Sequence, residues 1–326
     1  MAEKIAIIYN PSAGREKARR KQTKVEAQLK VRGVEYDLFE TQDEAHLVET
    51  TIHCIPRYGV IIGAGGDTTI NLIAHEIIRA GQGNILGVIS MGSTNDLASE
   101  IGTKRLTDAC AAIVEGVTRK LDVGRIVTGS RGEPYTFLAQ ASLGLGVAVN
   151  RYVAEWMAKH TIASRFHNSA QMTAGMAGIY NSFKSKVIPM TLELQSSTDS
   201  RTIDSPLLTF NNTSFFAARF KPSPWASPID GKLDCCIFNS TTFAHFLKTA
   251  LQIKSNKHLI DDKVEVVQDD RFTINASSPF EFQVDGEVIQ ADGKMEISVL
   301  PKALEVLVNV RSCTEILRDY LQSNRR

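Results

Sequence analysis

The sequence predicts an α/β domain built on a parallel sheet, followed by a domain whose core is all β. Three observations carry that expectation. Strand-like and helix-like segments alternate through about the first 120 residues, the pattern of a parallel sheet with helices on both faces. Strand patterns dominate from Lys186 onward, which suggests a sandwich or a barrel. The 326 residues exceed what one core normally holds, so two domains are expected.

Lys4–Tyr9 (KIAIIY) is a short apolar strand, ended by the turn residues Asn10-Pro11-Ser12-Ala13-Gly14. Arg15–Lys30 reads as a helix with Ala18, Val25 and Leu29 on one side, and its run of basic residues reads as a solvated face. Val34–Thr41 alternates like a strand, and His46–Cys54 is helical. Val60, Ile61 and Ile62 form a buried β-branched strand. Gly63, Gly65 and Gly66 then remove side chains where the chain turns, and Asp67, Thr68 and Thr69 open a helix reaching Ala80. A strand, a glycine turn and a helix N-terminus together make a phosphate site; the alternative is an ordinary tight turn. Ile85–Ser90 is another buried strand, followed by Met91-Gly92-Ser93-Thr94-Asn95-Asp96 and by helices at Leu97–Glu100 and Thr107–Glu115. Ligands of parallel sheets bind beyond the carboxyl ends of the strands. Clusters of Gly, Ser, Thr and Asn at 10–14, 63–69 and 92–96 occupy three such ends. Their convergence points to a nucleotide-phosphate site.

After Asp122 the pattern changes. Arg125–Thr128 and Tyr135–Ala141 are strands, and Arg151–Phe183 is mostly helical in period. Strands are expected at Lys186–Leu194, Ser205–Asn211, Leu233–Phe238, Val264–Val267, Arg271–Ala276, Phe280–Val284, Lys294–Val299 and Ala303–Val308. Ser312–Gln322 reads as a closing helix that packs back on the first domain.

A formal charge of +1 gives no electrostatic case for nucleic acid. The five cysteines form no CxxC pair and the histidines do not cluster with them, which argues against zinc and suits a reducing cytoplasm. The N-terminus lacks the length of a signal peptide, and no apolar stretch approaches the ~20 residues of a membrane span. A cytoplasmic protein is expected, one that would reach any lipid from the water side.

In order along the chain, several motifs resemble one family. Asn10–Gly14 is similar to the NPxSG/NPxAG turn of the diacylglycerol kinase catalytic-domain family, which includes bacterial lipid kinases and sphingosine and ceramide kinases. Gly65-Gly66-Asp67-Thr68-Thr69-Ile70-Asn71 resembles its GGDGTxN loop, and Gly92–Ala98 its GTxNDFA segment. Ser227–Asp234 resembles its DDGxLD segment, Val284-Asp285-Gly286-Glu287 its VDGE turn, and Leu300–Val306 its last strands.

The resemblance implies a Rossmann-like three-layer α/β nucleotide domain of the NAD kinase/diacylglycerol kinase type at 1–124. A β-sandwich acceptor domain would follow at 125–308 and a C-terminal helix at 309–326. It implies an ATP- and Mg²⁺-dependent lipid kinase acting on diacylglycerol or a related lipid alcohol, with transient membrane-surface contact. A homodimer is left open. Asn10, Pro11, Ser12, Ala13, Gly14, Thr41, Gly65, Gly66, Asp67, Thr68, Thr69, Asn71, Thr94 and Asn95 would bind the nucleotide. Asp67 would take part in catalysis and hold Mg²⁺ through water, with Asp96 and Asp122 completing an acidic network. Glu287 would be the general base. Asp230, with Ser227 and Lys232, would hold a second, structural Mg²⁺. The helical stretch 151–183 is a candidate acceptor lid or membrane-facing surface, with core packing preferred for most of its side chains.

Three departures stand out. Thr68 replaces a family glycine, which is costly if the position needs φ > 0. Leu72 replaces a family glutamate, and Ser90-Met91 stands where a proline often precedes the GT. They leave two alternatives open: a catalytically weak nucleotide-binding protein of the same fold, and a soluble-substrate kinase of the NAD-kinase type.

Overall fold

The computed structural model describes residues 4–11, 16–92, 95–129, 134–159, 177–182, 184, 190–215, 221–239, 242–285, 287–314 and 317. The chain opens as β1 (Ile5–Tyr9), α1 (Glu16–Val31), β2 (Asp37–Glu40), α2 (Glu44–Cys54), β3 (Val60–Gly65), α3 (Asp67–Ala80), β4 (Ile85–Ser90), α4 (Asp96–Glu100) and α5 (Leu106–Glu115). The four strands pair in parallel in the order β2-β1-β3-β4.

Side chains alternate across a strand, and here the alternation builds three layers. Ala6 and Ile8 of β1 join Leu47 of α2 and Ile73 and Ile77 of α3 in one core. Ile7 and Tyr9 join Val25 and Leu29 of α1 and Cys110 and Ile113 of α5 in another. Both faces of the sheet are covered, which is why its strands read as continuous apolar runs.

The chain continues as β5 (Thr118–Thr128), β6 (Tyr135–Phe137), β7 (Gln140–Gly144), α6 (Leu145–Lys159), β8 (Met190–Gln195), β9 (Ser200–Ser205), β10 (Leu207–Asn211) and β11 (Leu233–Phe238). Then come α7 (Phe243–Gln252), two 3₁₀ turns at Ile253–Ser255 and Lys257–Ile260, β12 (Val264–Asp269), β13 (Arg271–Asn275), β14 (Phe280–Val284), β15 (Glu287–Ala291) and β16 (Lys294–Leu307). A six-stranded antiparallel sheet, β12-β11-β10-β7-β14-β15, packs over strands that extend the first sheet. The core between them holds Phe210, Cys235 and Phe282 from one sheet and Leu192, Phe272 and Ile297 from the other. Cys235 faces this core, while Cys236 turns to the outer face and meets Phe246 of α7.

One strand belongs to both domains. The start of β16 pairs antiparallel with β13, and its end pairs parallel with β4 at Glu305 and Val306. Strand β5 lies along its whole length, and the register shifts between Leu300 and Leu304. The sequence splits this strand in two, because Pro301 interrupts the pattern and cannot donate to a ladder. Two further elements escape the sequence reading for a different reason. Strands β9 and β15 lie at sheet edges; β9 carries mostly polar residues, and β15 is only five residues long and follows directly on the Asp-Gly turn. Helix α7 is hidden among strand patterns, although Phe246, Thr249 and Ile253 follow helical spacing.

The expected closing helix lies largely outside the described residues. Cys313 and Leu317 are nonetheless buried in the core beneath α2 and α3. Gly102 permits this docking. It has φ 78°, and a Cβ there would stand 2.4 Å from the Cys313 nitrogen and 2.7 Å from the Asn309 oxygen. Gly102→Ala is expected to lower the unfolding free energy by about 2–4 kcal/mol, from backbone strain plus overpacking. Urea unfolding measures this, and an unchanged midpoint would show that the terminal segment is not held there.

Candidate active site

Three strand ends interlock at one edge of the parallel sheet. After β1, the Asn10 N–H donates to Ala64 O at 3.0 Å, and the Asn10 side-chain amide donates to the Thr69 hydroxyl at 3.0 Å. After β3, the Gly65 carbonyl accepts the Met91 N–H at 2.8 Å. The loop after β4 lies directly on this turn: a Cβ on Gly92 would stand 2.9 Å from the Gly66 Cα. Asn95 then adopts a left-handed conformation, φ 55° and ψ 56°, which asparagine tolerates better than most residues. Its side-chain amide donates to Gly92 O at 2.9 Å.

Asp67 joins two helices. It is the first residue of α3, and its carboxylate accepts the N–H groups of Asn95 at 2.9 Å and Asp96 at 3.0 Å, at the start of α4. Among the described residues, no side chain of the cap position closes the N-terminus of α3. Its cap is Gly66, with no side-chain cap bond, so the first-turn N–H groups lack intrahelical acceptors. Those amides and the helix dipole suit an anion.

Thr68 is exposed in that first helical turn, and neither it nor Gly63, Gly65 or Gly66 has a positive φ. The expected backbone cost of threonine there does not arise. Gly65 is needed for space instead, since a Cβ would come within 2.4 Å of the Thr69 Cβ. Leu72 packs against the core under α3.

Two residues expected to bind nucleotide also brace the fold. Thr41 is 1% exposed and its hydroxyl donates to Tyr9 O at 3.3 Å, tying the end of β2 to β1. Asn71 donates to Thr136 O at 3.1 Å, and His75 Nδ1 lies 3.1 Å from the Thr136 hydroxyl. Both contacts tie α3 to β6 across the two domains. Ser12, Ala13, Gly14, Thr94 and Gly286 lie outside the described residues; Pro11 sits in the turn after β1.

Opposite α3 stands the turn between β14 and β15. Asp285 has φ 43°, and its carboxylate accepts N–H groups from Leu138 at 2.8 Å, Ala139 at 3.3 Å and Gln140 at 2.9 Å. Burial pushes its pKa up to about 7 against the pull of these amides, and the charge of Asp67 adds to the rise. The two carboxylates are therefore near enough for their charges to interact. Glu287, exposed, opens β15 opposite Val284.

A second acidic group surrounds the turn before β11. Asp122 accepts the N–H groups of Lys302 and Gly231, each at 2.7 Å. Asp230 accepts from Lys232 N–H at 3.0 Å and from the Gln268 side chain at 3.2 Å. Burial raises the Asp230 pKa, and the Asp122 charge adds to it. Burial likewise pushes Asp234 to about 6, with the Asp230 charge contributing. Ser227 is buried just before this turn. The contacts of Asp122 thus run to the Asp230 turn and to β16, which revises the expected network around Asp67. Among the described residues, no group of three or more His, Cys, Asp or Glu is spaced to hold a metal ion.

The sequence reading missed two residues. Lys21 donates to Ser90 O at 3.1 Å and Met91 O at 3.4 Å, placing a cation at the end of β4. The available signal was its position on the apolar stripe of α1, four residues before Val25. In the sequence, Asp285 stands out only as half of an Asp-Gly turn.

Residues 4–126 match the diacylglycerol kinase catalytic domain, and residues 142–308 match the YegS C-terminal NAD kinase beta sandwich-like domain. The chain belongs to the diacylglycerol kinase family. It is a lipid kinase of that family. A diacylglycerol kinase of Bacillus subtilis (strain 168) is 24% identical over 288 residues, covering 86% of this chain and 88% of that protein. One of Staphylococcus aureus (strain MRSA252) is 32% identical over 130 residues, 39% of this chain and 41% of that protein. A Bacillus anthracis crystal structure described as a diacylglycerol kinase shares the fold, with a TM-score of 0.69 at 15% identity over 95% of this chain and 98% of that one. No helix among the described residues of the kinase is long and apolar enough to cross a membrane.

Asp285 makes the kinase's stability depend on pH. An unfolded Asp titrates near about 3.9, and the folded value is raised to about 7. The contribution is therefore full below the unfolded value and is lost as pH rises through about 7. Asp285→Asn is expected to flatten that fall relative to wild type. Urea unfolding across this pH window measures it, and parallel profiles for the two proteins would refute the assignment.

Proposed function

We propose that this kinase uses ATP and Mg²⁺ to phosphorylate the hydroxyl of diacylglycerol or a related lipid alcohol. The observation that carries the reading is the N-terminus of α3, capped by Gly66 without a side-chain bond, beside Asp67, with Asp285 of the sandwich near enough for the two charges to interact. Backbone amides of the first turn of α3 make a cradle beside the close contact of Gly66 with Gly92, which a Cβ on Gly92 would force apart. That cradle fits a phosphate. The carboxylates of Asp67 and Asp285 beside a triphosphate leave a surplus of negative charge, which fits a divalent cation.

On this reading Asp67 would hold Mg²⁺ through its carboxylate, and Asp96 would contribute at the start of α4. The metal, when bound, neutralises charge developing on the transferred phosphoryl group. Lys21 and the α3 amides position the phosphates. Glu287 accepts the proton of the attacking hydroxyl, and Asp285 fixes the turn that carries Glu287. The Asp230 turn, with Ser227 and Lys232, offers carbonyl and carboxylate oxygens for a structural Mg²⁺. The protein works in the cytoplasm and meets the bilayer transiently.

Labelled ATP with a panel of diacylglycerol, sphingoid and other lipid alcohols, and with NAD, tests the reading. Transfer to a lipid alcohol is expected, lost on chelation and restored by Mg²⁺. Glu287→Gln is expected to lower kcat about 10²–10⁴-fold. Absence of acceptor-dependent transfer, or wild-type turnover in Glu287→Gln, would refute the assignment, and transfer to NAD alone would move the enzyme to another substrate class.

A further inference from the structure

The kinase reading leaves open where the protein meets its lipid. Three of its most exposed large apolar side chains lie on α7 and on the segments packed against it: Trp225 at 69%, Leu251 at 73% and Ile260 at 85% exposure. Separate contacts hold them near one another. Helix α7 packs against both 3₁₀ turns, the second of which ends at Ile260. His258 Nε2, in that turn, lies 2.9 Å from Pro222 O, which docks the short loop bearing Trp225.

The inner face of α7 is fixed by packing. Phe246 and Ile253 join a buried cluster with Cys236 and Phe238, and Thr249 is buried between them. Leu251 therefore lies on the outer face, one turn from Lys248. The sequence of these elements is cationic. From Phe243 to Ile260 the chain carries Lys248, Lys254 and Lys257 and no Asp or Glu. Asp261, the next residue, is withdrawn beneath this surface, its side chain only 6% exposed and within 3.3 Å of His245 and 3.9 Å of Lys248. Asp262 is exposed, with Lys263 at 3.8 Å.

We infer that Trp225, Leu251 and Ile260, ringed by Lys248 and Lys257, form the face by which the protein docks on an anionic bilayer surface. Apolar side chains supply shallow insertion and the lysines supply attraction to lipid phosphates. The inference rests on the lipid-kinase reading for its choice of occupant, but its test does not require turnover. The loop that carries Trp225 continues into the turn at Pro228–Lys232, which Asp122 ties to the domain junction. Docking there would hold the sandwich end of the cleft against the lipid.

The test is flotation of the full chain with phosphatidylcholine vesicles, with and without phosphatidylglycerol. Wild type is expected to float with the anionic vesicles. Leu251→Ser with Ile260→Ser is expected to reduce binding about tenfold or more. Lys257→Gln is expected to reduce it about fivefold, only on anionic vesicles. Thermal unfolding identifies a variant that fails to fold, and the lysine variant then carries the test. Turnover of a dispersed short-chain diacylglycerol should be unchanged in all of them. Wild type that ignores anionic vesicles, or folded variants that float like wild type, would overturn the inference. Self-association abolished by Ile260→Ser would do the same, because the face would then cover a second copy. Vesicle binding without turnover of any lipid alcohol would support the face and remove the kinase reading.

Discussion

The relation between the two domains depends on the carboxylate of Asp122. It is 2% exposed and sits on β5 opposite the bulge of β16. One oxygen accepts the Lys302 N–H, where the shared strand leaves the sandwich and enters the parallel sheet. The other accepts the Gly231 N–H, and the Asp122 N–H donates to Pro228 O at 2.7 Å. A buried carboxylate is costly unless its lone pairs are filled, and here backbone amides fill them. Lys302 has φ 52°, so the bulge needs an acceptor that holds it in shape. The constraint extends into the cleft. Asn212 donates to both Asp122 O and Leu138 O, and the Leu138 N–H donates to Asp285. A continuous set of hydrogen bonds thus runs from the shared strand to Asp285.

A second crossing fixes the other side of the cleft. Asn71 and His75 on α3 both meet Thr136 on β6. Asp67 and Asp285 can then be held near enough for their charges to interact, because these contacts tie the two elements together. Each is stabilised from behind by backbone amides, two for Asp67 and three for Asp285. Preorganised repulsion of this kind is what a cation site between rigid elements requires.

The parallel sheet was legible in the sequence because both its faces are buried, so its strands read as apolar runs and its turns as breaks between them. The strand-end clusters were legible for a related reason: glycine and asparagine mark places where chains approach closely. The shared strand was not, since its bulge at Pro301 looks like a chain break and its partner strands lie far away in sequence. Thr41 and Asn71 illustrate a deeper ambiguity. A polar residue at a strand end can face a ligand or brace a neighbour, and only the fold decides between these. Lys21 was hidden by its basic neighbours, and Asp285 by the turn chemistry of Asp-Gly.

The loops also explain why Thr68 is tolerated where the family pattern has glycine. Around the cradle, side chains are engaged in holding loops to one another: Asn10 to Thr69, Asn95 to Gly92, Asp67 to the start of α4. What remains directed outward is backbone N–H at the start of α3. Recognition by backbone is indifferent to a side chain that points to solvent, as at Thr68. It is sensitive to any side chain that separates the loops, as at Gly65 or Gly92. The glycine positions that matter are therefore those where chain meets chain, and Thr68 is not one of them.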